Sequence, residues 1–437
     1  KHEISLEEGI KQTVKEFLKL KKNKVKNIKS NIVKLKNVTD NLQKNSKNFF
    51  INKKKYWYPL SLPTYGESEI KQALDSMIKY RTTMWDKTHK FEKKFSKIVK
   101  SKYSIMVNSG SSSDLLISFS LIDKKLKLLN KNDEIIIPIL TWPTHIWSAM
   151  MAGFKVKFVD IDKRTLNIDV KELKKNITKK TKAIFLVHAL GNPCNMDEIQ
   201  YLAKKHKLII LEDCCEALGS KFGKKFVGNF GLAASYSFFF SHHITTMEGG
   251  MITTNDNKFY ENLKYLRSHG WDRNFYKKNQ KNFNFVNWGF NVRPTELQAG
   301  FGLEQIKKVN RFNLRRRKLY KLFTSKFSKN PNIYFPLIEK KSDPSWFSIP
   351  IILSEKSKFK RTQLVSFLEK NGIETRPIIV GNLQHHPVAK VFKEFGKRKF
   401  PNADYIHKKG IYIGLSPIID DKTFEKMMKV FERFLNL

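Results

Sequence analysis

One stretch of the chain, from Tyr103 to Ser113, has the sequence YSIMVNSGSSS and joins an apolar strand to a helix. The run Tyr103–Val107 has the length and composition of a strand that is buried on both faces. The residues after it, NSGSSS at 108–113, place small side chains at the start of the following helix. Backbone N–H groups at such a helix start can approach an anion closely, so this turn is a candidate phosphate cradle. A plain helix cap has the same composition and is the structural alternative.

Outward from this junction, short apolar runs alternate with longer amphipathic segments between about Tyr56 and Arg311. The alternation predicts a mostly parallel sheet covered by helices on both faces, with ligands bound at the carboxyl ends of the strands. The predicted strands are Tyr103–Val107, Asp133–Ile137, Lys155–Val159, Ala183–Val187 and Leu208–Leu211, and the predicted helices are Ser112–Leu121, Ile146–Ala152, Val170–Lys174 and Met196–His206.

The two ends of the chain differ from this middle part. Residues 1–55 are rich in lysine and carry apolar residues at helical spacing, so we expect two amphipathic helices that dock on the main body or on a partner chain. An arm that binds nucleic acid or a membrane surface is the functional alternative. Residues 312–437 predict a smaller α+β domain, with helices at Arg315–Phe327, Arg361–Asn371 and Lys422–Leu435 and strands at Phe347–Leu353, Glu374–Ile379 and Ile411–Ile413.

The composition is that of a globular and strongly basic protein. The 437 residues include 83 Lys+Arg against 40 Asp+Glu, a formal net charge of +43, and the 41% of hydrophobic residues excludes wholesale disorder. A charge of this size is typical of nucleic-acid binding, but the lysines are spread along the whole chain among Asn and Ile residues. We therefore expect no nucleic-acid partner, although a basic surface favours the capture of an anionic substrate.

Targeting and metal-binding signals are also missing from the sequence. No apolar run approaches the roughly 18–20 residues that span a bilayer, and the N-terminus carries no secretion signal, so we expect a cytoplasmic protein without membrane contact. The three cysteines, Cys194, Cys214 and Cys215, fit no zinc or iron–sulfur spacing. We expect them to be buried small hydrophobic residues, and we expect no metal site.

Two further segments carry groups that could do chemistry. The predicted strand ending at Leu211 leads into Glu212 and Asp213, and a carboxylate at this position could hold a protonated ring nitrogen or simply cap a helix. His242 and His243 follow an aromatic run, where they could bind a metal, act as a general base or serve as satisfied polar residues. A metal is disfavoured because no further ligand motif is present, whereas imidazole is suited to moving protons near neutral pH.

Taken in order, these segments resemble the DegT/DnrJ/EryC1/StrS sugar aminotransferase family, whose members are pyridoxal-phosphate (PLP) enzymes of fold type I. The resemblance covers the chain from roughly Tyr58 to its C-terminus and leaves the N-terminal extension outside. It implies an aspartate-aminotransferase-like large domain at 56–311, with a mostly parallel seven-stranded sheet, and a small domain at 312–437. The matching segments are residues 108–112, Thr141-Trp142-Pro143, Glu212-Asp213, Ser237-Phe238, Ile244 to Gly250 and Gly289 to Pro294.

One position departs from the aminotransferase pattern. Aminotransferases of this family have a lysine two residues before the Ile-Thr segment, where it forms the Schiff base with the cofactor, and this chain has His242 there. Imidazole has no primary amine and cannot form that bond. The exchange resembles the sugar 3-dehydratase branch of the family, and further segments agree with that branch: Glu216, Ser268-His269-Gly270-Trp271 with Arg273, Pro344 to Phe347, Arg376-Pro377 and Gly381-Asn382.

The resemblance assigns roles to individual residues. Asp213 is expected to pair with the pyridinium nitrogen, Trp142 to stack on the ring and Glu216 to lie near the phenolic oxygen. The phosphate is expected to be held at Gly110, Ser111, Ser112 and Ser237, and to be completed by Asn291 of a second subunit, so we expect a homodimer with shared active sites. The expected acid/base is His242, with His243 as the alternative base, and the expected substrate contacts are His243, Arg273 and Arg376. Arg376 could grip the donor carboxylate or the substrate diphosphate, or lie at a domain interface.

The resemblance also implies a reaction. The cofactor is expected to act as pyridoxamine phosphate (PMP), and the substrate to be a nucleotide-diphospho-sugar, a 4-keto-6-deoxyhexose that loses its C3 hydroxyl. Members of this branch that act on a CDP-sugar carry cysteines for an iron–sulfur cluster after the His-Gly-Trp segment, and this chain has none there. We therefore expect no cluster, a GDP-linked substrate such as GDP-4-keto-6-deoxymannose, glutamate as the amino donor, and a role in dideoxysugar and surface polysaccharide synthesis. A nucleotide-sugar aminotransferase is the alternative function.

Overall fold

A mixed sheet of seven strands forms the centre of the computed structural model, which describes residues 56–272, 283–396 and 398–437. The spatial order is β1-β9-β8-β5-β4-β2-β3, and β9 runs antiparallel to both of its neighbours while the other pairs are parallel. The strands are β1 Tyr103–Val107, β2 Glu134–Pro138, β3 Lys155–Val159, β4 Thr181–Val187, β5 Ile209–Asp213, β8 Ala233–Ser237 and β9 Gly250–Thr254. The predicted mostly parallel sheet of seven strands is confirmed.

Helices pack on this sheet and on the C-terminal part of the chain. The helix α6 has the predicted bounds, and α3 begins at Gly110, two residues before the predicted start, because the Ser109 hydroxyl caps it by accepting the N–H of Ser112. In the described residues the helices are α1 Glu67–Ile78, α2 Asp86–Val99, α3 Gly110–Leu121, α4 Thr144–Met151, α5 Val170–Asn176, α6 Met196–His206, α7 Asn257–Arg267, α8 Glu296–Gln305, α9 Val309–Phe327, α10 Arg361–Lys370, α11 Pro401–Lys409 and α12 Asp421–Leu435.

Two smaller sheets complete the fold. An antiparallel sheet has the order β10-β12-β14-β13, formed by Ile333–Tyr334, Ile349–Leu353, Gly410–Ile413 and Thr375–Arg376, and a three-stranded one has the order β11-β6-β7, formed by Ser342–Asp343, Lys221–Phe222 and Lys225–Phe226. The strand predicted at Glu374–Ile379 is only two residues long. Pro377 follows it directly and has no N–H to donate to a ladder.

The expected division of the chain rests partly on residues outside the described ranges. The helices predicted within 1–55 lie outside the residues that the structure describes. The residues from Tyr56 to Leu437 form one compact unit. Helix α9 runs through the boundary expected at residues 311 and 312, so a continuous helix links the expected large and small domains. Among the described residues, no helix combines the length and the apolar character that a membrane crossing requires.

A buried ion pair fixes the strand that leads into the candidate phosphate turn. Arg267, at the end of α7, places NH1 2.6 Å from Glu92 Oε1 and 2.8 Å from the Met106 carbonyl oxygen. Glu92 also accepts the backbone N–H of Met106, at 2.9 Å. Because both charges are paired and hydrogen-bonded, the interior tolerates them, and removal of either partner would leave a buried charge uncompensated. The pair therefore ties α2, α7 and β1 together directly beneath the turn at 108–113.

Candidate active site

The carboxylate expected to hold a ring nitrogen lies at the carboxyl end of β5. Asp213 is 6% exposed, and its Oδ1 accepts the backbone N–H of Cys215 at 2.8 Å. Its Oδ2 lies 3.5 Å from Nδ1 of the buried His145. The end of a strand in a parallel sheet directs such a side chain into the crevice where ligands bind. The position agrees with a role for Asp213 in cofactor binding.

His145 is a site residue that the sequence reasoning missed. It lies on α4, and its Nε2 is 2.7 Å from the hydroxyl of Thr141. Burial lowers the pKa of His145 to about 4, so the ring is neutral at physiological pH despite the neighbouring charge of Asp213. A sequence signal for His145 was present: it follows the Thr141-Trp142-Pro143 segment at helical spacing from Thr141.

Glu212, next to Asp213, has a structural task. Its two carboxylate oxygens accept the backbone N–H groups of Gly228, Phe230 and Gly231, each at 2.7 Å, and Oε2 lies 3.1 Å from His188 Nε2. His188, Glu212 and Cys214 lie close enough together to suggest metal ligands. Both nitrogens of His188 already have protein partners, however, because Nε2 lies next to Glu212 and Nδ1 accepts the Cys194 N–H at 3.1 Å. Of the two carboxylates, only Asp213 is left for a ligand.

The phosphate turn is built around a close approach of two loops. A Cβ added to Gly110 would lie 2.7 Å from Cβ of Ser237, which only glycine avoids, so α3 begins directly against the end of β8. The hydroxyl of Ser112 donates to Asn108 Oδ1 at 2.6 Å, and Ser111 is exposed. Gly110, Ser111, Ser112 and Ser237 are thus brought together at a helix N-terminus, as an anion site requires.

Trp142 and Asn291 both offer exposed side chains. Trp142 lies between β2 and α4 and is 55% exposed, so one face of its indole is open for stacking. Asn291 is exposed, and its Oδ1 accepts Nε of Arg293 at 3.1 Å. The neighbouring Val292 accepts the Asn108 N–H through its carbonyl oxygen at 3.1 Å, which places this segment beside the end of β1. The role of Asn291 in the site of a second subunit stays a prediction.

His242 has a defined tautomer. Its Nδ1 lies 2.7 Å from the carbonyl oxygen of Cys215, and because a carbonyl only accepts hydrogen bonds, Nδ1 carries the hydrogen. Burial lowers the pKa of His242, and its Nε2 has no protein partner among the described residues. The ring packs against Phe347, with 5.2 Å between the centroids. His242 is therefore held as a neutral imidazole with a free basic nitrogen, which is the state that a general base needs.

His243 has a different environment. It is 1% exposed, and its Nε2 lies 2.9 Å from the hydroxyl of Ser345. Burial and the nearby Arg316 guanidinium hold the pKa of His243 well below the usual range. The side chain offers a substrate no surface in this structure, so the expected substrate contact stays a prediction without support from its position. Arg316 itself is buried, and its NH1 lies 3.5 Å from the His243 carbonyl oxygen.

Glu216 is a carboxyl group that keeps its proton at neutral pH. It is half-buried, and its Oε2 accepts the Leu190 N–H at 2.9 Å. Burial, with a smaller contribution from the charge of Asp213, raises the pKa of Glu216 to about 8. A protonated carboxyl can donate a hydrogen bond to a phenolate oxygen, which fits the role expected for this residue.

The two arginines expected to bind substrate are less closely defined. Arg273 lies outside the described residues. Arg376 is exposed at the short strand β13, and its NH2 pairs with Glu374 at 3.1 Å. An exposed ion pair contributes little to stability, so the guanidinium can exchange this partner for an anionic ligand at small cost. Its role stays a prediction.

The described residues fit pyridoxal phosphate well. A carboxylate at a strand end matches the ring nitrogen, and an open indole face matches the ring face. A protonated carboxyl matches the phenolic oxygen, and a glycine and serine turn at a helix N-terminus matches the phosphate. The arrangement lacks a lysine at the family's Schiff-base position and has a neutral imidazole there instead.

Comparison with known proteins identifies the family of the chain. A family model described as the DegT/DnrJ/EryC1/StrS aminotransferase family matches residues 63–432. GDP-4-keto-6-deoxy-D-mannose 3-dehydratase of Escherichia coli O55:H7 is 41% identical over 369 residues, which cover 82% of this chain and 95% of the relative. The protein of the same name from Yersinia pseudotuberculosis is 38% identical over 391 residues, 86% of this chain and 98% of the relative.

A solved structure extends the comparison to bound molecules. The crystal structure of GDP-4-keto-6-deoxymannose-3-dehydratase with a trapped PLP-glutamate geminal diamine matches with a TM-score of 0.80 and 39% identity, and the match covers 85% of this chain and 99% of the other. That enzyme therefore binds both PLP and glutamate in one site.

Proposed function

This chain belongs to the DegT/DnrJ/EryC1/StrS aminotransferase family, and we propose that it is a PMP-dependent 3-dehydratase of a nucleotide-linked 4-keto-6-deoxyhexose, with GDP-4-keto-6-deoxymannose as the substrate. The enzyme removes the C3 hydroxyl in a carbon–oxygen lyase reaction and recovers its cofactor by half-transamination with glutamate. The product is a 4-keto-3,6-dideoxysugar, a precursor of surface polysaccharide.

The observation that carries this proposal is the state of His242. It stands where the aminotransferases of the family have their lysine, its Nδ1 donates to the Cys215 carbonyl and its pKa is lowered by burial. A residue in this state moves protons and forms no covalent link to a carbonyl. The site therefore favours elimination on a freely bound amine cofactor over lysine-anchored transamination.

Bound PMP supplies the amine that activates the sugar's C4 ketone and the ring that draws electrons away from the reacting carbons. The protein's part is to hold and orient it. Asp213 keeps the ring nitrogen protonated, the Trp142 indole covers one face, and the turn at Gly110 with Ser237 anchors the phosphate. Because His242 cannot form a Schiff base, noncovalent contacts such as these would set the position of the cofactor.

His242 would act twice in each turnover. Its free Nε2 first accepts a proton from the carbon next to the amine, and the imidazolium so formed then gives that proton to the departing C3 hydroxyl, which leaves as water. The carbonyl of Cys215 holds the ring in one orientation through both steps. Phe347 covers the imidazole and limits the access of bulk water.

The overall reaction balances only with an amino donor. The sugar exchanges its C3 hydroxyl for hydrogen, glutamate becomes 2-oxoglutarate, and the nitrogen leaves as ammonia. The two electrons that reduce C3 come from the oxidation of glutamate. The proposal of glutamate as donor is supported by the trapped PLP-glutamate adduct in the related enzyme.

We further propose that the active form is a homodimer with shared sites. Asn291 is exposed, and the aromatic side chains of Phe283, Phe285 and Trp288 shortly before it are exposed as well. Exposed aromatic clusters of this kind often mark contact surfaces. We propose that a second copy covers them and that Asn291 reaches the phosphate turn of its neighbour.

The first experiment combines product analysis with borohydride trapping. The protein, loaded with PLP, is given glutamate and GDP-4-keto-6-deoxymannose, and the sugar product is examined by mass spectrometry, with the corresponding CDP-sugar as the matched control. The expected product has lost one oxygen atom. Borohydride treatment of the PLP-loaded protein is expected to leave no cofactor on the denatured chain.

The opposite pair of results would reject the proposal. An amino sugar as the product, together with a reduced cofactor that stays attached to a lysine after denaturation, would make the protein an aminotransferase. Deoxygenation of the CDP-sugar in preference to the GDP-sugar would keep the reaction and change the substrate.

A further inference from the structure

A second buried aspartate lies close to Asp213. Asp114 on α3 is 1% exposed, and its Oδ2 accepts the hydroxyl of Thr144, at the start of α4, at 2.7 Å. Its Oδ1 is buried without a hydrogen-bond partner. A buried carboxylate with one neutral donor is poorly solvated, because an ionised carboxylate normally needs two or three donors or a cation.

The surroundings of Asp114 add a negative charge and no positive one. The titratable groups near it include Asp213 and Cys215, from the end of β5. His145, from α4, lies 3.5 Å from Asp213. The strand β8 contributes Ser235, which is the sheet partner of Asp213 and lies within hydrogen-bonding reach of Asp114. Among the described residues, no lysine or arginine nitrogen lies within 4.0 Å of the Asp114 carboxyl.

We propose that Asp114 carries a proton at neutral pH and is a positioning residue that leaves Asp213 as the one carboxylate charge beneath the cofactor ring. Two neighbouring buried carboxyls without a cation cannot both ionise. Oδ1 of Asp213 accepts a backbone N–H, whereas the donors within reach of Asp114 are the hydroxyls of Thr144 and Ser235. Burial, reinforced by the charge of Asp213, raises the pKa of Asp114 to about 8, in agreement with this division.

Two unsatisfied atoms lie in this region. Oδ1 of Asp114 and Oγ of Ser235 are both buried without partners, and a protonated Oδ1 could donate to the serine just as the serine hydroxyl could donate to the carboxyl. The neutral acid then links α3, which starts with the phosphate turn, to α4 through Thr144 and to β8 through Ser235. Two of these elements, α3 and β8, carry the residues expected around the phosphate.

The proton on Asp114 is independent of the proposed reaction, whereas its response to the cofactor rests on the proposed function. A pyridinium cation paired with Asp213 would reduce the electrostatic repulsion between Asp213 and an ionised Asp114. Loading the cofactor should therefore lower the pH at which Asp114 gives up its proton.

Infrared difference spectroscopy of the cofactor-free protein tests the first part. The spectrum of the native chain minus that of Asp114→Asn should show the C=O stretch of a protonated carboxylic acid at pH 7. This band should fade as the pH passes about 8. Asp123→Asn is the matched control: Asp123 is also buried, but its two oxygens accept N–H groups of Lys125 and Asn287. The proposal would be overturned if the band were absent at pH 7, or if Asp123→Asn removed the band to the same extent as Asp114→Asn.

Thermal unfolding gives a second, independent measure. The folded chain holds a proton on Asp114 that the unfolded chain has released above about pH 4, so the native protein should lose stability relative to Asp114→Asn as the pH rises from about 4 to about 8. If the difference in stability between the native protein and Asp114→Asn stayed constant across this pH range, it would contradict the proton on Asp114. If the band is present but its midpoint does not move when PLP is added, the positioning role is rejected while the proposed reaction stays intact.

Discussion

The Nδ1 atom of His242 lies 2.7 Å from the carbonyl oxygen of Cys215, two residues beyond the carboxylate expected to hold the cofactor ring. This hydrogen bond fixes the tautomer, since only a protonated Nδ1 can donate to a carbonyl. The proposed general base and the carboxylate proposed to hold the ring are thus both positioned by one short segment at the end of β5.

Replacement of this base should stop the proton transfers. His242→Asn is expected to lower the rate of sugar deoxygenation by about 10²–10⁴-fold, the usual contribution of a general base, while PLP still binds. Single-turnover kinetics with PMP-loaded protein measure the first half-reaction, and the glutamate-driven change in absorbance measures the second. His206→Asn, at the exposed end of α6, is the control and should leave both rates unchanged. A variant that keeps either rate would exclude His242 as the base for that half-reaction.

The activity should fall only at a pH below the normal imidazole range. Burial lowers the pKa of His242, and the Arg316 charge adds to this effect. Arg316→Met removes that charge, so the acid limb of the kcat profile should move to higher pH. Arg315→Met is the matched control, because Arg315 pairs with Asp421. If the limb stays in place in Arg316→Met, burial alone controls His242.

Glu216 should make the cofactor-free protein less stable as the pH rises. Its pKa is raised from 4.5 to about 8, so between these values the folded state holds a proton that the unfolded chain lacks. Stability should then fall by up to about 1.4 kcal/mol per pH unit for this one proton and level off above about pH 8. Urea unfolding of the native chain and Glu216→Gln at several pH values measures the difference, which should grow with pH. Parallel curves would indicate an ionised Glu216.

The phosphate turn should not tolerate a side chain at Gly110. A Cβ there would meet Ser237 Cβ at 2.7 Å and push β8 away from the start of α3. Gly110→Ala is expected to weaken PLP binding by about tenfold or more, since a small misplacement of the donors forfeits the phosphate contacts. Fluorescence titration with PLP gives the dissociation constant, and thermal unfolding without cofactor controls for a general loss of structure. Native affinity in the variant would place the phosphate elsewhere.

Shared active sites can be tested by mixing two inactive variants. If Asn291 completes the neighbouring site, His242→Asn and Asn291→Ala chains should each be inactive as homodimers. A mixed dimer contains one intact site, built from His242 of one chain and Asn291 of the other, so activity should return when the chains are unfolded and refolded together. Asn291→Ala with native activity, or no recovery on mixing, would show that each site belongs to a single chain.

Several features of the site could be predicted because they depend on local sequence. The small residues after Tyr103–Val107, the carboxylate at the end of β5 and the histidine at the lysine position each belong to one short segment. The structure has β1 at its predicted bounds and extends β5 two residues beyond the predicted end, to Asp213. The strands β8 and β9 were harder to find, because their sequences AASYS and GMITT become strands only through pairing with each other and with β1 and β5.

Protonation states and partners required the tertiary structure. Glu212 and Asp213 are neighbours in sequence, yet one accepts three backbone N–H groups of a distant loop and the other is left for a ligand. The proximity of Asp114 to Asp213 was equally hidden, since it arises from the packing of α3 against the sheet.

The sequence by itself determined the alternation of five buried strands with helices, the small-residue turn proposed for the phosphate and the imidazole at position 242, because each is a property of a few consecutive residues. Only the tertiary structure decided that His242 has a free Nε2 and a lowered pKa, that the pKa values of Glu216 and Asp114 are raised, and that His243 is buried. These outcomes depend on burial and on charges brought together from segments far apart in the chain, which local sequence does not encode.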